Sequence, residues 1–215
     1  NMLSKYVFGR KRCQKDLIVK IILYFLIFPV ALAVTKKLDP EQISSLAGEL
    51  CFIFVPLCSC VGISIFHADQ VNGPLDEFVH KDPFGIVFSL LMLIENLLFL
   101  LPLGMILSGF GLDCNDLMIE MVVVVFFITG AGFFLSRFSG NAVFSIALIL
   151  AYTAIPSCDS ILEIVNLFNS EGHNVFFLTS MKNKIFTDRI FLSFILAGFI
   201  FWILASVAVK KGKYR

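Results

Sequence analysis

The chain has 215 residues, 58% of them hydrophobic and only 15% charged, with 25 Phe and a formal net charge of +1. A soluble domain of this size cannot hide so much apolar surface, and a near-neutral chain argues against nucleic acid as a partner. What remains is an integral membrane protein, read as one membrane domain over 1–215.

In chain order, the first segment, 1–16, mixes Leu3, Tyr6, Val7 and Phe8 with basic residues that include Arg10, Lys11 and Arg12. It reads either as an interfacial helix with those three cations on anionic headgroups, or as a solvated basic flank. Six apolar runs follow, at about 17–35, 47–66, 84–108, 117–136, 142–158 and 189–209. Each approaches the ~20 residues needed to cross ~30 Å of hydrocarbon at ~1.5 Å per residue. The runs are continuously apolar rather than alternating, so helices are expected and a barrel is not. The first run lacks a small-residue cleavage pattern after it and is expected to stay as a span.

Orientation follows the basic residues. One side would carry Lys5, Arg10, Lys11, Arg12, Lys15, Lys20, Lys81, Arg137, Lys210, Lys211, Lys213 and Arg215; the other would carry Lys36, Lys37, Lys182, Lys184 and Arg189. Twelve against five places both termini in the cytosol of a multi-pass plasma-membrane protein. Residues 159–188 hold two apolar runs too short to span, separated by Asn169-Ser170-Glu171-Gly172-His173. They read as a helical hairpin on the outer side, or as an ordered external loop.

Few chemistries are open to these residues. The histidines, at 67, 80 and 173, all fall in expected loops. An intramembrane protease would need one at membrane depth. Of the six cysteines, at 13, 51, 58, 60, 114 and 158, three lie in apolar runs as expected inert thiols. Cys58-x-Cys60 sits where a thiolate is disfavoured, and a Cys114–Cys158 bridge on the outer side stays open. No Gly-x-x-x-x-Gly-Lys-Ser/Thr loop occurs, so any ATP would be bound by another chain. Catalytic, metal and cofactor sites are therefore expected in none of the segments, and the chain is not read as an enzyme.

Two polar features remain. Glu95-Asn96 interrupts the third run near its middle, where a carboxylate is costly. It is either a polar point on a transport path or a protonated group bonded to a neighbouring helix. Ala147-x-x-x-Ala151 and Gly104-x-x-x-Ser108 are small-residue spacings that mark close helix contacts within or between subunits. Between runs two and three lies Asp69-Gln70-Val71-Asn72-Gly73-Pro74-Leu75-Asp76-Glu77-Phe78-Val79-His80-Lys81-Asp82-Pro83. Pro74 after Gly73 favours a helix start, with Asp76 and Glu77 at its positive end. Leu75, Phe78 and Val79 then share one face.

This order of parts resembles the type-2 ATP-binding-cassette transporter permeases of the exporter branch. The loop is similar to that family's acidic-x-x-x-Gly-x-x-Glu-x-Leu…Pro pattern, with Asp69 in the place of the usual Glu. The ending Thr187-Asp188-Arg189…Val209-Lys210-Lys211-Gly212-Lys213 is similar to its terminus. The resemblance implies an all-α protein of six transmembrane helices with an N-terminal interfacial helix and an external helical hairpin before the sixth span. It also implies a cytosolic coupling helix carrying Gly73, Pro74, Leu75, Asp76, Glu77, Phe78 and Val79. Two copies, identical or homologous, would form the conduit in membrane lipid. Two separate ATPase subunits would hold ATP and Mg. Glu95 and Asn96 would be candidates for the transport path. The Phe-rich interior suits an amphipathic passenger: a peptide toxin or bacteriocin first, a hydrophobic drug or lipid next. The substrate-binding membrane subunit of a vitamin-type importer is the alternative.

Overall fold

The computed structural model describes residues 14–34, 40–72, 84–113, 115–139, 141–154 and 188–211. The expected interfacial segment with Arg10, Lys11 and Arg12, the coupling residues Gly73 to Val79, the outer hairpin, Cys114 and Cys158 all lie outside the described residues.

Every element among the described residues is helical, with no strand. Four helical stretches are long and apolar enough to cross a membrane: Leu17–Val34, Ile43–Cys60, Ser89–Gly109 and Asn115–Ser136. Two shorter apolar helical stretches, Val143–Thr153 and Phe191–Ala205, complete the set. In chain order the elements are α1 (Gln14–Ile22), a π-helical turn (Leu23–Ile27), α2 (Phe28–Val34), α3 (Pro40–Asn72), α4 (Phe84–Leu98), α5 (Leu100–Gly109), α6 (Asn115–Ser139), α7 (Ala142–Ala154) and α8 (Asp188–Lys211).

Proline sets the interruptions in two spans. Pro29 has no N–H to give to the carbonyl four residues back, and its ring crowds that carbonyl. The helix answers with the wider Leu23–Ile27 turn, closed by Phe28 N–H to the Leu23 carbonyl. Pro102 does the same to the third span. There α4 stops at Leu98, Phe99 forms a turn, and α5 resumes at Leu100; Phe99 N–H still reaches the Glu95 carbonyl at 3.1 Å. Pro56 leaves α3 unbroken, and nearby Ser59 Oγ donates back to the Val55 carbonyl at 2.9 Å.

The ends follow local chemistry. Gly111 takes a left-handed φ of 77° after α5. Leu112 N–H bonds to the Leu107 carbonyl at 3.3 Å and Gly111 N–H to the Ser108 carbonyl at 2.9 Å, the paired bonds that close a helix C-terminus through glycine. Asn141 caps α7, its Oδ1 accepting from Val143 N–H at 2.9 Å and Phe144 N–H at 3.2 Å. One boundary departs from the sequence expectation. His67 to Asn72, read as the start of a polar loop, continue α3. Polarity ends an apolar run, but only a breaker ends a helix, and the stretch from Ile63 to Asn72 contains neither Gly nor Pro.

Helix α6 is the centre, packed against α3, α4, α5, α7 and α8. Of its apolar window 61% is buried, against 22% for Leu17–Val34. Its tightest seam is with α8 and is reciprocal. A Cβ on Gly130 would lie 2.8 Å from Trp202 Nε1, and one on Gly198 would lie 2.6 Å from the Phe126 ring. Each glycine receives the other helix's aromatic ring, and Trp202 Nε1 donates to the Phe126 carbonyl at 3.3 Å. The span Leu17–Val34 leans on α3, where Phe28 meets Phe54 edge-on at 5.7 Å.

Candidate functional site: a buried charge cluster between helices

Lys20 is the sole charged residue of the run 17–34, and it is fully buried. Its position four residues into the run reads as a cytosolic flank, because lysine near a helix end ordinarily reaches to the interface. The structure turns it inward instead. Its Nζ donates to Glu95 Oε1 at 3.0 Å and to Asn96 Oδ1 at 2.7 Å, and lies 5.8 Å from the centre of the Phe99 ring. Asn96 Nδ2 then donates to Thr129 Oγ1 at 3.4 Å. Lys20 and Thr129 are each 0% exposed, Asn96 is 4% exposed and the Glu95 side chain 16%.

The local folding explains why these groups meet. Glu95 and Asn96 lie in the last turn of α4, just before the Phe99 interruption. Lys20 lies just before the π turn. Thr129 precedes Gly130, the residue that admits α8 to α6. One turn beyond the charges, Tyr24 stacks on Phe99, centroids 5.4 Å apart and planes at 22°. Tyr24 also lies beside the Cys58 thiol of α3. The cluster thus ties the first span to α4 directly, to α6 through Asn96 and Thr129, and to α3 through Tyr24.

An unpaired ammonium or carboxylate in hydrocarbon costs several kcal/mol. Pairing leaves the cluster neutral and gives Lys20 two short acceptors. Such a pair barely offsets its own desolvation, but breaking it exposes the partner's full cost. The arrangement holds an ion pair inside a low-dielectric span without net charge. It carries no nucleophile-and-base pair, and among the described residues no three His, Cys, Asp or Glu side chains converge on one point. Cys51, Cys58 and Cys60 are buried thiols that form no disulfide among the described residues.

Of the residues singled out by sequence, Glu95 and Asn96 are brought together here, and Gly73 to Val79 and Arg10 to Arg12 lie outside the described residues. Lys20, Tyr24 and Thr129 were not legible as site members. The available signal was a lysine inside one apolar run and a glutamate inside another, which in a membrane invites pairing. Of the small-residue spacings, Gly104 lies against α6, where an added Cβ would meet the Met118 side chain at 3.5 Å, while Ala147, Ala151 and Ser108 are exposed on the single chain.

Comparison of the chain with known protein families, curated proteins and solved structures yields no match. The functional reading rests on the chain's own residues.

Proposed function

We propose that this chain is the permease subunit of an ATP-driven exporter, a transport protein that works with a separate ATPase. The observation that carries the transport reading is the Lys20–Glu95–Asn96 cluster, buried within apolar helices and set beside two proline interruptions. Ionisable groups at such depth are expensive, and broken helices beside them are the usual construction of a path through the bilayer. The order of apolar runs and the segment Gly73–Val79 support the narrower ATP-driven reading. In it the chain has six spans, both termini cytosolic, in the plasma membrane. Two copies flank the path and two ATPase subunits bind below. ATP and Mg belong to those subunits, and Leu75, Phe78 and Val79 seat on them. The passenger is amphipathic or hydrophobic, a peptide first.

Affinity purification of the tagged full-length chain from its native membrane tests this. An ATPase subunit should co-purify, and ATP hydrolysis should vanish when it is removed. Glu77→Lys with Phe78→Asp should detach the ATPase while the chain stays inserted: the first sets a cation at a positive helix end, the second puts a carboxylate into an apolar contact. Retained ATPase binding in that double variant overturns the coupling assignment.

A further inference from the structure

The first and third spans are each interrupted once, and the two interruptions touch. Tyr24 lies inside the π turn Leu23–Ile27 and Phe99 is the residue between α4 and α5; these two rings form the 5.4 Å stack. The register is constant across the contact. Lys20 faces Glu95 and Asn96, and four residues further along each chain Tyr24 faces Phe99. The two spans therefore run in the same direction with their weak points level. At that level Pro29 and Pro102 have each removed a backbone hydrogen bond, so bending costs less there than elsewhere in either helix. One turn away sits the ammonium–carboxylate–amide cluster, the strongest side-chain link between the two spans among the described residues.

We propose that the Tyr24–Phe99 contact is a shared hinge and that Lys20 with Glu95 and Asn96 is the latch holding it closed. When Lys20 leaves its acceptors, α1 swings from α4 about the stacked rings, while α2 and α5 on the far side keep their positions. The ring stack suits a pivot, because two flat faces can rock without losing contact. A π turn suits it equally, being a local break in regular helical bonding of the kind found at functional sites. The device does not depend on what the protein carries, and it can be read without any partner subunit.

The test is a pair of distances in the full-length chain in lipid nanodiscs. Nitroxides are placed on ketone-bearing unnatural residues, so the native cysteines stay. One pair, at Ile18 and Leu90, reports the latch side; the other, at Val30 and Met105, reports the far side. All four positions are exposed. Glu95→Gln should raise a longer Ile18–Leu90 population about tenfold and leave Val30–Met105 unchanged. Adding Pro102→Ala, which restores the missing helical bond, should suppress that rise. Unchanged distances in Glu95→Gln, or both pairs lengthening together, overturn the proposal. Asn96→Leu strips one acceptor from Lys20 but keeps the charge paired, and gives the same readout where Glu95→Gln does not insert. A smaller rise on the latch side alone supports the hinge, and no rise overturns it.

Discussion

At the scale of single residues, the pair Lys20–Glu95 behaves as a unit. Lys20→Met leaves a carboxylate without its cation, and Glu95→Leu leaves a buried ammonium without its anion. Each should destabilise by about 3–5 kcal/mol. The double variant Lys20→Met/Glu95→Leu removes both charges and should recover most of that loss, because a matched apolar pair carries no desolvation cost. Unfolding of the purified protein by a graded denaturing detergent measures all four corners of the cycle. Additive losses would mean that the two side chains do not depend on each other. Glu95 and Asn96 stand out in the sequence because polarity in mid-run is conspicuous. Lys20 does not, because four residues from the edge of a run is where a lysine normally escapes to water. Only the identity of the opposite helix decides between those fates, and that is not written near Lys20.

At the scale of elements, the α6–α8 seam depends on two absent side chains. Gly130→Ala and Gly198→Ala each set a methyl within 3 Å of a ring, Trp202 in one case and Phe126 in the other. Both rings are packed, Trp202 against Phe126 and Phe133, so neither can retreat freely. Each substitution should lower stability by about 1–3 kcal/mol. Gly48→Ala, with nothing within 4 Å, should be neutral or stabilising by up to about 1 kcal/mol, since alanine is the better helix former. Gly104→Ala meets only the flexible Met118 thioether and should fall near neutral. Thermal unfolding of the four variants in detergent ranks them, and equal effects at Gly130 and Gly48 would refute the seam. The helices themselves were legible from continuous apolarity; where they break was not, because Pro29, Pro56 and Pro102 all lie inside apolar runs and Pro56 leaves its helix whole. The seam was not legible either, because a glycine is worth noticing only once a ring is known to face it.

At the scale of the molecule, burying Lys20 alters the charge count but not its sign. Without it, eleven basic residues stand against five, which leaves unchanged the expectation that both termini and the 73–83 segment lie inside. Phe78→Cys should be protected from an impermeant thiol reagent in intact cells, and Glu171→Cys should react, with native thiols blocked beforehand. The reverse pattern would invert the protein in the membrane. The end of the fifth expected span, 155–158, lies outside the described residues, as does most of the segment before the sixth. Four full-length spans and two shorter apolar helical stretches are what the described helices supply.

The distance along the chain between the two charges has a consequence for how the protein is made. Lys20 and Glu95 are 75 positions apart. At roughly 5–20 residues per second, the ribosome leaves Lys20 without its carboxylate for about 4–15 s. During that interval the first helix cannot sit at its final depth in lipid; its lysine must stay at the headgroups or in the wet wall of the insertion machinery. The helix then sinks and turns only when the third one arrives, so the membrane protein is completed in two movements. Nascent chains stalled after Asn72 should leave Lys20 open to a water-soluble amine reagent, located by mass spectrometry. Chains stalled after Ala154, with Glu95 clear of the ribosome exit tunnel, should protect it. Protection already in the shorter chain would mean that another group shelters the ammonium first.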